Sequence, residues 1–458
     1  CLGLAHAAPV CTEEHSALQL GGKFASDEPI TEWFGGQKET SEDIPRVFAS
    51  INSVVEWTSP RDLAILPPPN KVALADGNVL EFFSVIPSFG EDGNFIALLT
   101  TLDTDLHLLQ NHTLFCSGPN RAHLTQVRVH RSILLCDWPA GEAEKDTFDV
   151  FLEDKHGRNI GQVRTRRKPG MVKQYHSVAC ARDVYVSSSA PENYGRTVKQ
   201  MVEWLEFSLL HGVDHFCVYT FKGTEDAVKE VLMPYLKAGL ATRIHFDVPQ
   251  YPRDKTLDMC GRHFDWVIRD CLYRAKSHAT WVIPSFDFDE YFSFKSGDIF
   301  PKGKIPEDYL KTGWDAIVRS QKKKTEEVRS ISFKRYHFAR ASKGSLEISS
   351  PWREAHLQER LGRPDWFEAL PKYAYNVHVA YDAFWHWLKD FDPRNSTHIS
   401  IPPEVGVISH FRTPFADPQA TVKDDQLVAD VPKVQQAMEQ RFGQKLPELL
   451  KRFSEAAP

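Results

Sequence analysis

No stretch of about 18 consecutive apolar residues occurs in this 458-residue chain, so nothing present reads as a membrane-spanning helix. A basic excess is also missing. Lysine and arginine number 55 against 61 aspartates and glutamates, a net charge of -6, which argues against broad nucleic-acid binding. Neither G-x-G-x-x-G nor a P-loop stands at any strand-to-helix turn, which disfavours a dinucleotide dehydrogenase or a P-loop ATPase. The eight cysteines are too few for a disulfide scaffold, and none forms C-x-x-C or a Cys/His zinc set. What remains is an ordinary globular balance, 42% hydrophobic and 25% charged, which excludes a disordered or fibrous chain. The length allows two or three domains.

Residues 1–10 are small and apolar and include Ala5-His6-Ala7, a small-x-small pattern like the one that closes a signal peptide; a frayed terminus is the plainer reading. Sequons stand at Asn111-His112-Thr113 and Asn395-Ser396-Thr397. Cys116 and Cys136 lie in neighbouring strand-like runs and are placed to form a disulfide. Cys217 sits inside an apolar run and reads as a buried thiol. Cys260 and Cys271 fall on one predicted helix, about 16 Å apart, too far to bond to each other. The balance leans towards an oxidising secretory compartment.

Along the chain, residues 1–75 look irregular and end in Leu66–Asn70 (LPPPN). Residues 76–175 carry short β-type runs, among them 79–86, 95–101, 124–130, 132–138, 147–153 and 159–164, whose even spacing predicts an all-β sandwich. The pattern then changes. A strand over 176–185 leads to a helix over 196–211, with Val198, Met201, Val202, Leu205 and Leu209 on one face and Gly212 at its end. A strand at 215–220, a helix at 224–237 closed by Gly239, a strand at 242–247 and a helix at 258–276 follow. Next comes a nearly continuous apolar run over 279–286, the pattern of a strand buried on both sides. This alternation predicts an α/β fold with a parallel sheet, whose ligands bind beyond the carboxyl ends of its strands.

Directly after that buried strand stands Asp287-Phe288-Asp289-Glu290-Tyr291. In an extended chain Asp287 and Asp289 point one way and Phe288 the other. Two carboxylates so held make a hard-oxygen site for Mn²⁺ or Mg²⁺, with positions left for a diphosphate. In an arbitrary surface loop the same pattern would be an ordinary solvated acidic patch; the position at the end of this strand favours the metal.

The residues around this cluster resemble glycosyltransferase family 92. The similarity runs through Val202-Glu203-Trp204-Leu205-Glu206-Phe207, Gly212-Val213-Asp214-His215-Phe216, Asp270-Cys271-Leu272-Tyr273-Arg274, Trp281-Val282 and Asp287-Phe288-Asp289-Glu290-Tyr291 to Ser409-His410-Phe411-Arg412. It covers roughly residues 176–415. The resemblance implies a GT-A fold, a Rossmann-like nucleotide-diphospho-sugar transferase. It implies metal-dependent transfer of a sugar, typically galactose from UDP-galactose, to a glycan acceptor, with inversion. Mn²⁺ (or Mg²⁺) would be held by Asp289, with Asp287 and His410 assisting, and Arg412 would meet a phosphate. Some members carry a β-rich module before the catalytic domain. Family members are typically Golgi proteins with one N-terminal anchor, so the resemblance also implies a membrane anchor upstream of Cys1. This chain departs from the family at Thr220, where Asp is usual, at Arg269, where Asn is usual, and at Gly261-Arg262, where Gln is expected.

An inverting transfer needs a general base near the acceptor hydroxyl. Asp382 and Glu354 are the carboxylates nearest aromatic clusters, though such groups are more often solvated surface charges. Trp352, Trp366, Trp385 and Trp387 either stack on acceptor sugars or pack in the core. Lys322-Lys323-Lys324 reads as a solvated face. The division expected is an irregular segment 1–75, a β-rich accessory domain 76–175, a GT-A domain 176–420 and a helical extension 421–458. The alternatives are a GT-A transferase with another UDP-sugar donor, and a glycan-binding protein whose transferase domain is inactive.

Overall fold

The computed structural model describes most of residues 79–182, 194–249, 259–294, 309–340, 371–410 and 425–448, and short strands at 54–55, 64–66, 70–73, 358–360 and 422–423. The segment expected to be irregular contributes three of those strands, β1 (Val54–Val55), β2 (Ala64–Leu66) and β3 (Asn70–Ala73). Runs this short carry no readable period, and their order comes from their partners. β4 (Val79–Gly90), β5 (Gly93–Thr100), β6 (Leu114–Ser117), β7 (Thr125–Gln126), β8 (Arg128–His130), β9 (Ile133–Asp137), β10 (Thr147–Asp154) and β11 (Asn159–Arg166) follow. They build two five-stranded sheets, β1-β11-β10-β6-β7 and β3-β4-β5-β9-β8. The single strand predicted over 124–130 divides at Val127, because β7 pairs with β6 in one sheet and β8 with β9 in the other. Phe82, Ile96, Leu98 and Leu134 of one sheet share a core with Val150, Leu152 and Val163 of the other. The Cys116–Cys136 disulfide joins β6 to β9, as the sequence suggested.

The alternating region holds β12 (Tyr175–Arg182), α1 (Tyr194–Leu210), β13 (His215–Lys222), α2 (Glu225–Lys237), β14 (Ala241–Pro249), α3 (Met259–Ala275) and β15 (Ala279–Phe286). Gly212 and Gly239 follow their helices at φ 90° and 70°, the left-handed region a side chain resists. β12 pairs in parallel with both β13 and β15, and β13 in parallel with β14. The chain therefore moves outward from β12 to β14 and then returns to the other side of β12, so its direction of travel reverses between β12 and β15.

Beyond β15 the sheet is mixed, which widens the parallel sheet expected. β16 (Glu290–Phe294), α4 (Tyr309–Ser320), β17 (Val328–Arg340), β18 (Gln358–Arg360), β19 (Lys372–Asn376), β20 (Ala380–Ala383), β21 (Leu388–Phe391), β22 (Thr397–Ile401), β23 (Gly406–His410), β24 (Val422–Lys423) and α5 (Asp425–Phe442) complete the described elements. The large sheet has twelve strands, its path running β16-β23-β17-β19-β15-β12-β13-β14-β2. One face packs on α1, α2, α4 and α5 through Val202, Leu205, Leu232, Trp314 and Val434. The C-terminal helix docks by charge as well: Arg441 pairs with Glu206 on α1, and Asp430 lies 3.1 Å from His211.

The other face is covered by α3, and α3 in turn by β4, β5 and β9. Every residue from Trp266 to Lys276 is buried. A helix at a domain surface would show one polar face to water; this one has a sheet on each side. Phe83 stacks on Trp266 at 5.2 Å and Phe95 meets Tyr273 edge-on at 6.2 Å. Asp270 is the polar centre of the layer. It accepts from Ser84 Oγ at 2.5 Å and from the Tyr219 hydroxyl at 2.7 Å, and it pairs with Arg274. Cys180 of β12 is disulfide-bonded to Cys271, a pairing that spacing did not reveal.

Candidate active site

The acidic turn follows β15 and runs into β16. Asp287, Asp289, Glu354, Arg412 and the side chain of His410 lie outside the described residues, as do Trp352, Trp366, Trp385 and Trp387. The residues between and beside the aspartates are described, and they show how the turn is held. Phe288 is buried and meets Trp204 of α1 edge-on at 5.6 Å. The Trp204 indole Nε1 donates to the backbone carbonyl of Glu290 at 2.9 Å. Tyr291, one residue on, lies edge-on to Phe207 at 5.2 Å.

Glu290 does not share the role expected of its two acidic neighbours. Its carboxylate lies 3.2 Å from Lys372 Nζ of β19, and both side chains are enclosed, at 0% and 1% exposure. A carboxylate so paired is committed to the fold, because separating the charges in a dry interior would leave one uncompensated. Sequence reasoning missed Lys372: it stands 82 positions from Glu290 with no local pattern to mark it.

Strand register brings the closing motif to the same place. β16 pairs antiparallel with β23 so that Glu290 is opposite His410 and Tyr291 opposite Ser409. β23 then pairs with β17, with His337 beside His410. The backbone of His410 is therefore next to the residue that follows Asp289. Hard carboxylate oxygens with a neutral imidazole on the adjoining strand suit Mn²⁺ or Mg²⁺, so the donor set fits such an ion. Among the described residues no three His, Cys, Asp or Glu side chains form a metal-binding group.

The candidate base Asp382 is placed elsewhere, and its expected role needs correction. Its carboxylate is fully buried and accepts from Arg269 Nε at 2.9 Å. Arg269 and Tyr273 of α3 and Lys276 just after it bind β20 in succession, at Asp382, at the Tyr381 carbonyl (2.9 Å) and at the Ala380 carbonyl (2.6 Å). Asp382 is thus an anchor for the β20–β21 hairpin, without the open approach a base needs. Arg269, a departure from the family pattern, is its counter-charge. Thr220, another departure, is buried, accepts from Arg243 Nε at 3.2 Å and lies 3.2 Å from His245 Nδ1.

The family model for glycosyltransferase family 92 matches residues 185–449, more than half of the chain. The chain belongs to glycosyltransferase family 92. The family assigns glycosyltransferase activity, with a nucleotide-sugar donor and a glycan acceptor. In this family-92 chain the segment Asp270–Arg274 serves the core: its members are the polar centre, the disulfide partner and the packing residues of α3. No curated protein matches the chain in sequence. Solved structures similar to parts of it include a 4-diphosphocytidyl-2C-methyl-D-erythritol synthase from Anaerococcus prevotii, 10% identical, covering 57% of this chain and 96% of its own, TM-score 0.23. The glucosyl-3-phosphoglycerate synthase of M. tuberculosis is 14% identical and covers 60% of this chain and 86% of its own, TM-score 0.20. Scores this low carry no weight for fold or chemistry. No helix of the described residues is long and apolar enough to cross a membrane.

Proposed function

We propose that this family-92 glycosyltransferase is a metal-dependent GT-A enzyme moving galactose from UDP-galactose onto a glycan acceptor with inversion. The observation that carries the reading is the strand register at the acidic turn. Glu290, the third acid of the cluster, is paired with Lys372, and His410 is the residue opposite it on β23. Asp287, Asp289 and His410 would hold Mn²⁺ or Mg²⁺. Such an ion, when bound, neutralises the charge that builds on a departing diphosphate. The chain's own part is to fix the turn before substrate arrives. Phe288 and Trp204 seat it from below and the Glu290–Lys372 pair locks its far side. Arg412, two residues beyond His410, would meet a phosphate oxygen. Glu354 is the remaining candidate for the base. The strand order β15-β12-β13-β14 supports the GT-A assignment, and residues 76–175 are the counterpart of a β-rich accessory module.

The two disulfides among the described residues support folding in an oxidising lumen, and the Golgi is the compartment we propose. The reading is tested by UDP release with Mn²⁺ and a panel of UDP-sugars and glycan acceptors, with Asp289→Ala as control. UDP-galactose is expected to give the fastest release and Asp289→Ala to lose it by about 100-fold or more. Release no faster than the variant with every donor would end the enzymatic reading. Release fastest with UDP-glucose or UDP-N-acetylglucosamine would change the donor.

A further inference from the structure

α1 touches both the acidic turn and the C-terminal helix α5. Towards the turn, Trp204 donates to the Glu290 carbonyl, and Phe207 meets Tyr291, two residues past Asp289. Towards α5, His211 stands one residue beyond the end of α1. Its amide is still bonded to the Phe207 carbonyl at 3.0 Å, so Trp204, Phe207 and His211 follow one helical face. The Phe207 ring lies 4.1 Å from the His211 ring, and His211 Nε2 lies 3.1 Å from Asp430 of α5. Both side chains of that pair are enclosed, at 5% and 3% exposure. Lys433, one turn further along α5, holds Asp430 at 2.9 Å. A run of contacts thus leads from Asp430 through His211 and Phe207 to Tyr291, on the strand that leaves the turn.

A second grip stands beside the first. Arg441 pairs with Glu206, the residue before Phe207, and buried Glu206 also accepts from the Tyr235 hydroxyl at 2.8 Å. Apolar packing alone would keep α5 in place, since Val434, Met438 and Phe442 lie in one core with Leu205. Buried polar pairs add little net stability to such packing, because each costs desolvation. What they add is direction: a hydrogen-bonded pair is satisfied in one register, whereas an apolar face tolerates sliding. His211 and Trp204 also line one cavity of about 10 Å³. A smaller side chain at 211 would enlarge the void beside the ring that holds Glu290.

We infer that His211 and Asp430 are positioning residues for the donor site: the docked helix α5 sets, through Phe207 and Tyr291, where the acidic turn stands. Both act through α1. The inference rests on the reading that Asp287 and Asp289 hold a divalent ion and the UDP diphosphate, and it adds to that site a helix from the far end of the chain.

The test is calorimetry of the full chain with UDP in Mn²⁺, beside urea unfolding of each variant. Asp430→Ala is expected to weaken UDP roughly 10-fold, the scale of a small displacement of the binding groups. Asp430→Asn keeps an acceptor for His211 and is expected to stay within about 2-fold of the wild type. Val434→Ala on the same helix removes apolar packing and leaves the polar grips. It should lower stability with UDP affinity unmoved, as a purely structural residue does. Unchanged UDP affinity in folded Asp430→Ala overturns the inference, and so does equal weakening by Val434→Ala. If Asp430→Ala fails to fold, His211→Gln decides: it loses the ring beside Phe207, and wild-type affinity there overturns the inference. A wild-type chain whose UDP affinity is the same with and without Mn²⁺ refutes the metal reading itself, so the two failures are distinguishable.

Discussion

The indole of Trp204 donates to the main-chain carbonyl of Glu290 across 2.9 Å, so a side chain on α1 fixes the backbone of the strand that leaves the acidic turn. The same ring meets Phe288 edge-on. Trp204→Phe keeps most of the apolar area and removes the donor. Urea unfolding is expected to show a loss of roughly 1–3 kcal/mol. Mn²⁺-dependent UDP binding is expected to weaken with it, because the turn loses its seat. Unchanged stability and unchanged binding would show that the bond holds nothing in place.

The Glu290–Lys372 pair makes a double-mutant cycle informative. Lys372→Met removes the lysine paired with a buried carboxylate and is expected to cost roughly 3–5 kcal/mol. Glu290→Gln with Lys372→Met should cost less than the sum of the single changes. Strict additivity in urea unfolding would mean that the two groups do not interact.

Acid should weaken the fold through His278. Burial, with His215 and Arg274 nearby, lowers its pKa from 6.5 to about 3. The folded ring stays neutral while the unfolded chain takes up a proton below about 6.5. Stability from this residue is thus complete above pH 6.5 and falls as pH drops from 6.5 towards 3, by at most about 1.4 kcal/mol per pH unit. Thermal unfolding between pH 7 and 5 should show a smaller slope in His278→Gln than in the wild type. Parallel slopes would remove His278 as the cause.

Cys180–Cys271 closes a loop of 91 residues in sequence. Replacing both cysteines by alanine is expected to cost roughly 2–5 kcal/mol. Cys217 is directly opposite Cys180 in register, and burial pushes its thiol up to about 12. It should therefore resist a thiol reagent in the folded protein and react once urea unfolds the chain. Rapid labelling under native conditions would contradict its burial.

The alternating strands and helices were legible because each carries its own period: β15 is the predicted 279–286, and α1 and α3 match their predictions within two residues at each end. Gly212 and Gly239 marked helix ends through a backbone preference that is local by nature. The acidic cluster was legible for the same reason. What the sequence concealed were relations between distant segments. Lys372 finds Glu290 and Arg269 finds Asp382 only once the sheets are assembled, and nothing near either pair announces it. Without its partner, Asp382 resembled a free carboxylate beside aromatic rings. The burial of α3 on every side was hidden too, because a helix pattern reports its own faces and not how many layers cover them.

That burial has a consequence for synthesis on the ribosome. β4, β5 and β9 are made more than a hundred residues before α3. Until α3 emerges, Phe83, Phe95, Leu99 and Ile133 have nothing to cover them, and a nascent sheet with such a face is prone to associate with other chains. The N-terminal half of this protein therefore waits, sticky on one side, for a helix that has yet to be translated.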